Sequence, residues 1–84
     1  MKANPEWLAR LEETPQAQAT VIIHTKDDPR QHTASLEAHG LTVTFAFRLT
    51  KTIAAKGAAY RILDLLQEPW IVKIEPDQKI TTMK

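Results

Sequence analysis

The sequence predicts an α+β domain in which four strands form one antiparallel sheet and two helices cover one face of that sheet. Runs of strand-forming residues alternate with stretches of helical apolar spacing in the order β-α-β-β-α-β. The chain has 84 residues, a length that suits a single domain over residues 1–84. Right-handed crossovers place both helices on the same side, so the other face is left uncovered.

Composition limits the classes of function. The chain contains no cysteine, which excludes disulfides and thiol chemistry, and its formal net charge is +1, which predicts no nucleic-acid or membrane-surface partner. No apolar run reaches transmembrane length, and no hydrophobic signal core follows Met1. We therefore expect a cytoplasmic protein that is a monomer when free, with a secreted protein whose signal has been removed as the alternative.

Residues 1–15 are predicted to form a helical extension before the main pattern. Asn4 is a favourable N-cap, Pro5 suits the first helical position, and Pro15 ends the helix. The apolar residues between them have helical spacing: Trp7, Leu8 and Leu11. We expect this helix to cover an open edge or end of the sheet, with a second docking surface as the alternative.

The first strand and the first main helix are predicted over residues 19–39. Residues 20–23 are an unbroken run of strand formers with apolar side chains at both parities, as expected of a strand covered by helices on one face and by a partner on the other. Asp28 is a candidate cap, Pro29 suits the first helical position, and Gly40 ends the helix.

Residues 41–50 show the clearest strand pattern in the chain. The odd-numbered positions are predicted to enter the core: Leu41, Val43, Phe45, Phe47 and Leu49. The even-numbered Thr42, Thr44 and Ala46 are predicted to lie on the uncovered face. A tight turn near Lys51 leads to a strand over residues 52–56, which Gly57 is expected to break.

A second main helix is predicted over residues 58–67, with a proline stop at Pro69. Its apolar stripe is Ala59, Ile62, Leu63 and Leu66. In the strand after it, Trp70, Val72 and Ile74 are expected to face the core, and Lys73 and Glu75 the uncovered face. These elements together predict a ferredoxin-like βαββαβ fold with an extra N-terminal helix, and an extended C-terminal tail over residues 79–84.

The closing residues of the chain resemble a known family. Residues 69–77 read Pro-Trp-Ile-Val-Lys-Ile-Glu-Pro-Asp, similar to the closing signature of subtilisin propeptides and their stand-alone inhibitor relatives, which is a proline, an aliphatic strand and then Glu-any-Asp. Residues 52–56, Thr-Ile-Ala-Ala-Lys, resemble the short third strand of that family. The likeness covers about residues 19–83, and Pro76 departs from the commoner acidic residue at its position.

The resemblance implies a protein inhibitor of a subtilisin-like serine protease. In this family the uncovered sheet face docks on two surface helices of the protease, whose N-termini are capped by the carboxylates that correspond to Glu75 and Asp77. The tail then occupies the substrate cleft as an added strand. The tail residues that the resemblance assigns to protease binding are Ile80, Thr81, Thr82, Met83 and Lys84.

Two questions stay open within the resemblance. The preferred register puts Met83 in the primary specificity pocket, and the alternative puts Lys84 there. The chain is expected to be an inhibitor that acts on a separate protease, and the alternative is a propeptide that acts as an intramolecular chaperone for its own protease.

Other functions find less support in the sequence. RNA-recognition modules share this topology and stack bases on exposed sheet aromatics, but Phe45 and Phe47 share the parity of the predicted core. His32 and His39 would lie about 10 Å apart along one helix, too far to share a metal ion directly. The acids fall in caps, turns and helix rims, where no pocket pairs them. We therefore expect no enzyme activity, cofactor or metal.

Overall fold

The computed structural model describes residues 3–76 of the chain. In chain order, the elements are α1 (Pro5–Glu13), β1 (Gln18–Thr25), a 3₁₀ helix (Pro29–Gln31), α2 (Thr33–Ala38), β2 (Thr42–Phe47), β3 (Thr52–Ala58), α3 (Ala59–Leu65) and β4 (Ile71–Pro76). None of the helices within these residues is long and apolar enough to cross a membrane.

The four strands form one antiparallel sheet in the order β2-β3-β1-β4. This order confirms the predicted α+β fold and is compatible with a ferredoxin-like arrangement, because each of the two helical connections carries the chain past a neighbouring strand position. β1 and β3 are the central strands, and β2 and β4 are the two edges of the sheet.

The hydrophobic core lies between the sheet and its helices. β1 alternates regularly, with Val21 and Ile23 fully buried and Ile22 between them only partly covered. The other fully buried large side chains come from the remaining strands and the helices: Leu36, Ile53, Ile62, Leu65, Ile71 and Ile74. Each such side chain contributes about 1.5–3 kcal/mol to the free energy of unfolding. The predicted stripe of α3 omitted Leu65, whereas Leu63 and Leu66 are only partly buried.

Both predicted cap residues cap a helix start, but the single helix predicted after Asp28 is divided into the 3₁₀ helix and α2, and α2 begins after His32 without a side-chain cap. The Asn4 side chain accepts hydrogen bonds from the backbone N–H groups of Glu6 and Trp7, at 2.8 and 3.3 Å. Asp28 caps the 3₁₀ helix in the same way, and its side-chain hydrogen bonds with Arg30 lower the pKa of the Asp28 carboxyl. α1 packs beside α3 and places Leu11 in the core.

A bulge in β2 overturns the predicted parity of its second half. Val43 pairs with Ala55 of β3, but the next register pair is Phe45 with Ala54, so Thr44 is an extra residue. A one-residue insertion turns every later side chain to the opposite face. Phe45 and Phe47 are therefore 61% and 43% exposed, and their predicted burial was wrong.

The shift also affects the neighbouring predictions. Ala46, predicted on the uncovered face, packs against the core instead. Leu41 is buried as predicted, whereas Leu49 is 93% exposed, outside β2, and its predicted burial was wrong. Lys51 lies in the tight turn between β2 and β3, as predicted, and has a φ of 54°.

β4 contains a second irregularity of the same kind. Ile71 pairs with Thr25 and Lys73 pairs with His24, so Val72 is the extra residue. Ile71 and Ile74 are buried, while Val72 is half exposed. The predicted inward orientation of Val72 was therefore wrong, and that of Ile74 is confirmed.

Gly57 does not break its strand. It lies inside β3, paired with Ala19, and it is buried. A Cβ atom at this position would overlap Cδ2 of Leu41, which packs directly against the glycine. The residue therefore permits a close approach between β3 and the chain entering β2, rather than a change of direction.

Candidate protein-docking face

The sheet face opposite the helices is the candidate functional site, and we call it the open face. Side chains that are directly opposite in an antiparallel ladder lie on the same face, so the strand register defines its members. The open face comprises Thr20, Ile22, His24, Thr42, Phe45, Phe47, Thr52, Ala54, Lys56, Lys73 and Glu75.

Two rows of side chains cross the open face from the β2 edge to the β4 edge. The first row is Phe45, Ala54, Ile22 and Glu75. The second row is Phe47, Thr52, His24 and Lys73. Each row begins with an aromatic ring on β2 and ends with a charged group on β4. The open face is therefore apolar at one edge and ionic at the other.

The apolar edge contains a stacked aromatic pair. The ring centroids of Phe45 and Phe47 are 5.3 Å apart, with an interplanar angle of 20°. Ala54 and Ile22, both half-buried, continue this apolar surface toward the middle of the sheet. Exposed aromatic rings in a contiguous apolar patch are typical of protein contact surfaces.

The ionic edge is organised around Glu75. Nε2 of His24 lies 2.5 Å from Oε2 of Glu75, so an Nε2–H group can donate to the carboxylate across the β1–β4 ladder. Nζ of Lys73 is 3.9 Å from the same oxygen. The Glu75 side chain remains 42% exposed, so the carboxylate is oriented and accessible at once.

An oriented and accessible carboxylate has a definite chemistry. It accepts charge-assisted hydrogen bonds, which are stronger than neutral ones, from donors such as the unpaired N–H groups at a helix start. Within residues 3–76, Glu75 makes its contacts with His24 and Lys73 through Oε2 rather than Oε1. A second acceptor oxygen is thus left for an external donor.

The structure places only one of the predicted site residues. Glu75 lies on the open face near the end of β4, as predicted, and Lys73 lies beside it. The other predicted residues lie outside the described part of the chain: Asp77, Ile80, Thr81, Thr82, Met83 and Lys84.

Sequence reasoning missed the aromatic pair as a member of the site. The strict alternation of residues 41–49 gave no indication of a bulge at Thr44, because threonine is an ordinary strand residue. The small side chain of Ala46, which pairs with the buried Ile53, is the one hint that this position rather than its aromatic neighbours could turn inward.

A groove of about 360 Å³ lies between α1 and the edge strand β4. Its lining residues are Asn4, Glu6, Trp7, Arg10, Lys73, Ile74, Glu75 and Pro76. α1 is therefore at the sheet edge, where the sequence predicted it. Cations and carboxylates are mixed along the groove, so the charges favour no single class of ligand.

The other two histidines lie in the segments that connect the strands and make local contacts there. His32 stacks on Trp70 with ring centroids 4.0 Å apart, and its Nε2 is 2.7 Å from Oδ1 of Asp27. Nδ1 of His39 lies 2.8 Å from the backbone carbonyl oxygen of Ser35, and its Nε2 lies 3.5 Å from a carboxylate oxygen of Glu68. Within residues 3–76, no group of three or more His, Cys, Asp or Glu side chains is arranged to hold a metal ion.

Comparison with known proteins does not assign the chain to a family. No protein-family model matches the chain, and no curated protein matches it at a significant level. The likeness to subtilisin propeptides stays a prediction that rests on residues 52–56 and 69–77.

Proposed function

We propose that this protein inhibits a subtilisin-like serine protease by docking the open face on the enzyme and placing its C-terminal residues in the substrate cleft. The observation that supports this proposal best is the position of Glu75. Its carboxylate lies on the open face, oriented by His24 and exposed to an external donor. The resemblance assigns helix capping on the protease to this residue.

The electrostatic part of the contact follows from helix chemistry. The start of a helix has unpaired N–H groups and a partial positive charge, and a carboxylate satisfies both. A hydrogen bond to a charged group contributes about 1.5–3 kcal/mol when it is made in a contact that excludes water. Because His24 already orients the carboxylate, docking costs less side-chain entropy.

The apolar part of the contact comes from Phe45 and Phe47. Exposed aromatic side chains are enriched in protein interfaces, because they lose much apolar surface to the partner at little entropic cost. Both rings are substantially exposed in the free protein. The proposed contact therefore combines an aromatic anchor at β2 with a carboxylate anchor at β4.

The proposed contact of the tail rests on the sequence alone. Residues 77–84 follow β4, and the proposal has them bind the protease as an added strand. Met83 is the proposed occupant of the primary pocket, with Lys84 as the alternative. The proposal needs no cofactor and no nucleic-acid or membrane partner, and the chain could also act in cis as the propeptide of its own protease.

RNA binding is the second candidate, because the exposure of Phe45 and Phe47 removes the main objection to it. Single-stranded bases stack on exposed sheet aromatics. However, both rings lie on the edge strand β2 and stack on each other. The central strands present Ile22, Ala54 and Thr52, and the ring that they add, the His24 imidazole, is bonded to Glu75. We therefore place this candidate second.

The test is a titration of the chain against a subtilisin-type protease, followed by hydrolysis of a small chromogenic peptide, with a trypsin-type protease as the control. We expect stoichiometric loss of the subtilisin activity and no effect on the control enzyme. Rapid digestion of the chain without inhibition would overturn the proposal. A parallel anisotropy measurement with labelled single-stranded RNA tests the second candidate.

A further inference from the structure

The two rows of the open face are arranged so that they could contact the same rows on a second copy of the chain. In the first row Phe45 stands at the β2 edge and Glu75 at the β4 edge. In the second row Phe47 and Lys73 occupy the corresponding places. Both rows therefore begin with a phenylalanine, whereas one row ends with a negative charge and the other with a positive charge.

We propose that the open face also pairs with the open face of a second copy, in a two-fold symmetric dimer. The two-fold axis would lie between the stacked sheets, perpendicular to the strands, midway between the two rows. Such an isologous contact requires a self-complementary surface. Rotation about this axis exchanges the rows, so each row of one copy faces the other row of its partner.

Rotation about this axis forms favourable contacts at both edges of the open face. Phe45 of each copy meets Phe47 of the other, which brings four exposed rings together. Glu75 of each copy meets Lys73 of the other, so the two rows bring no like charges of Lys73 and Glu75 together across the axis. In the middle, Ile22 faces His24 and Ala54 faces Thr52, so no lysine or carboxylate stands between the two ends of the rows. His24 keeps its bond to Glu75 within each copy.

The size of the face sets the strength of this dimer. Four strands about 4.8 Å apart and six residues at about 3.4 Å each give a flat area of roughly 400 Å². Two such faces bury roughly 800 Å², less than the about 1,200–2,000 Å² that a specific, stable interface buries. We therefore expect a weak dimer, with a Kd of about 10 μM to 1 mM. This proposal differs from the expectation that the chain is a monomer when free.

The dimer and the protease would use the same surface and would exclude one another. The dimer proposal does not depend on the inhibitor proposal, because every measurement that tests it uses this chain alone. A chain that dimerises without inhibiting the protease would support the dimer proposal and overturn the inhibitor proposal. A chain that inhibits the protease but stays monomeric would overturn the dimer proposal alone.

The experiment is sedimentation equilibrium over protein concentrations from about 10 μM to 1 mM. We expect the parent mass to rise from monomer toward dimer. The dimer Kd should rise at least roughly tenfold in each of the single variants Lys73→Glu and Glu75→Lys, because like charges then meet across the axis. An equimolar mixture of these two variants should dimerise at least as tightly as the parent, because the mixed pair restores opposite charges at both contacts.

Restored association in the mixture shows that both variants are folded and that positions 73 and 75 of the two copies meet, and the weaker association of each variant alone shows that the parent pairs Lys73 with Glu75. Glu37→Lys on α2, on the helix side of the sheet, is the matched control and should leave the parent Kd unchanged. Phe45→Ser with Phe47→Ser should abolish the dimer. A parent that stays monomeric at 1 mM, or a mixture that associates no better than its two components alone, would overturn the proposal and leave the face to a different occupant.

Discussion

Nε2 of His24 lies 2.5 Å from Oε2 of Glu75, a contact that joins the central strand β1 to the edge strand β4 on the open face. The two residues are diagonal neighbours, since the direct partner of Glu75 is Ile22. The contact fixes the direction of a carboxylate that would otherwise be free to rotate. The register of β1 and β4 therefore orients the carboxylate that is proposed to bind the protease.

Replacing His24 tests the value of that orientation. We expect His24→Ala to weaken protease inhibition by about 1 kcal/mol, because the carboxylate must then be ordered on binding. The measurement is the inhibition constant of the variant beside that of the parent. His39→Ala, which changes a half-buried histidine next to α2, is the matched control. Equal or tighter inhibition by the His24 variant would show that the orientation does not assist binding.

The exposure of the aromatic pair makes a prediction about stability. Phe45→Ala should lower the free energy of unfolding by about 1 kcal/mol or less, because the ring is 61% exposed. Ile53→Ala, at a fully buried position of β3, should cost about 2–5 kcal/mol. Urea denaturation of the two variants gives both values. A Phe45→Ala cost equal to that of Ile53→Ala would mean that β2 lacks the bulge at Thr44.

The packing of Gly57 on Leu41 makes an independent prediction about the fold. Gly57→Ala should destabilise the protein by about 1–3 kcal/mol, since the added methyl group overlaps the leucine side chain. Leu41→Ala makes room for that methyl group, so the double variant should be more stable than the sum of the two single effects predicts. Denaturation of all four proteins measures this coupling, and strictly additive effects would contradict the packing.

Removal of the tail separates folding from inhibition. Deleting residues 80–84 should leave the thermal unfolding midpoint nearly unchanged, because the described core is formed by residues up to Ile74. The same deletion should abolish tight inhibition, since the tail is the proposed occupant of the substrate cleft. Thermal unfolding followed by circular dichroism and an inhibition titration test the two halves. A truncated chain that inhibits like the parent would remove the tail from the mechanism.

The sequence predicted the parts of the fold that depend on local chemistry. Asn4 and Asp28 cap their helices, Lys51 lies in a tight turn, and the strand order follows from the order of elements. These features depend on interactions within a few residues, or on the handedness of the connections, so pattern alone indicates them.

The sequence could not predict which face each strand presents after an irregularity. The bulges at Thr44 and Val72 arise from pairing with β3 and β1, and pairing partners are not visible in the residues of a single strand. Each bulge reverses the parity of the later residues in its strand. In β2 the predicted parity therefore fails at Phe45, after the bulge, whereas in β4 it fails at Val72 and agrees with the structure at Ile74 and Glu75.

The most direct test of the central proposal is the inhibition constant of the double variant Glu75→Ala with Asp77→Ala against a subtilisin-type protease. The matched control is Glu37→Ala with Asp64→Ala, which removes the same two charges from exposed positions on α2 and α3. If the carboxylates cap helix starts on the enzyme, the first variant should bind about 2–5 kcal/mol more weakly than the parent, and the control should bind as the parent does. Equal inhibition by the parent and both variants would contradict docking through the open face.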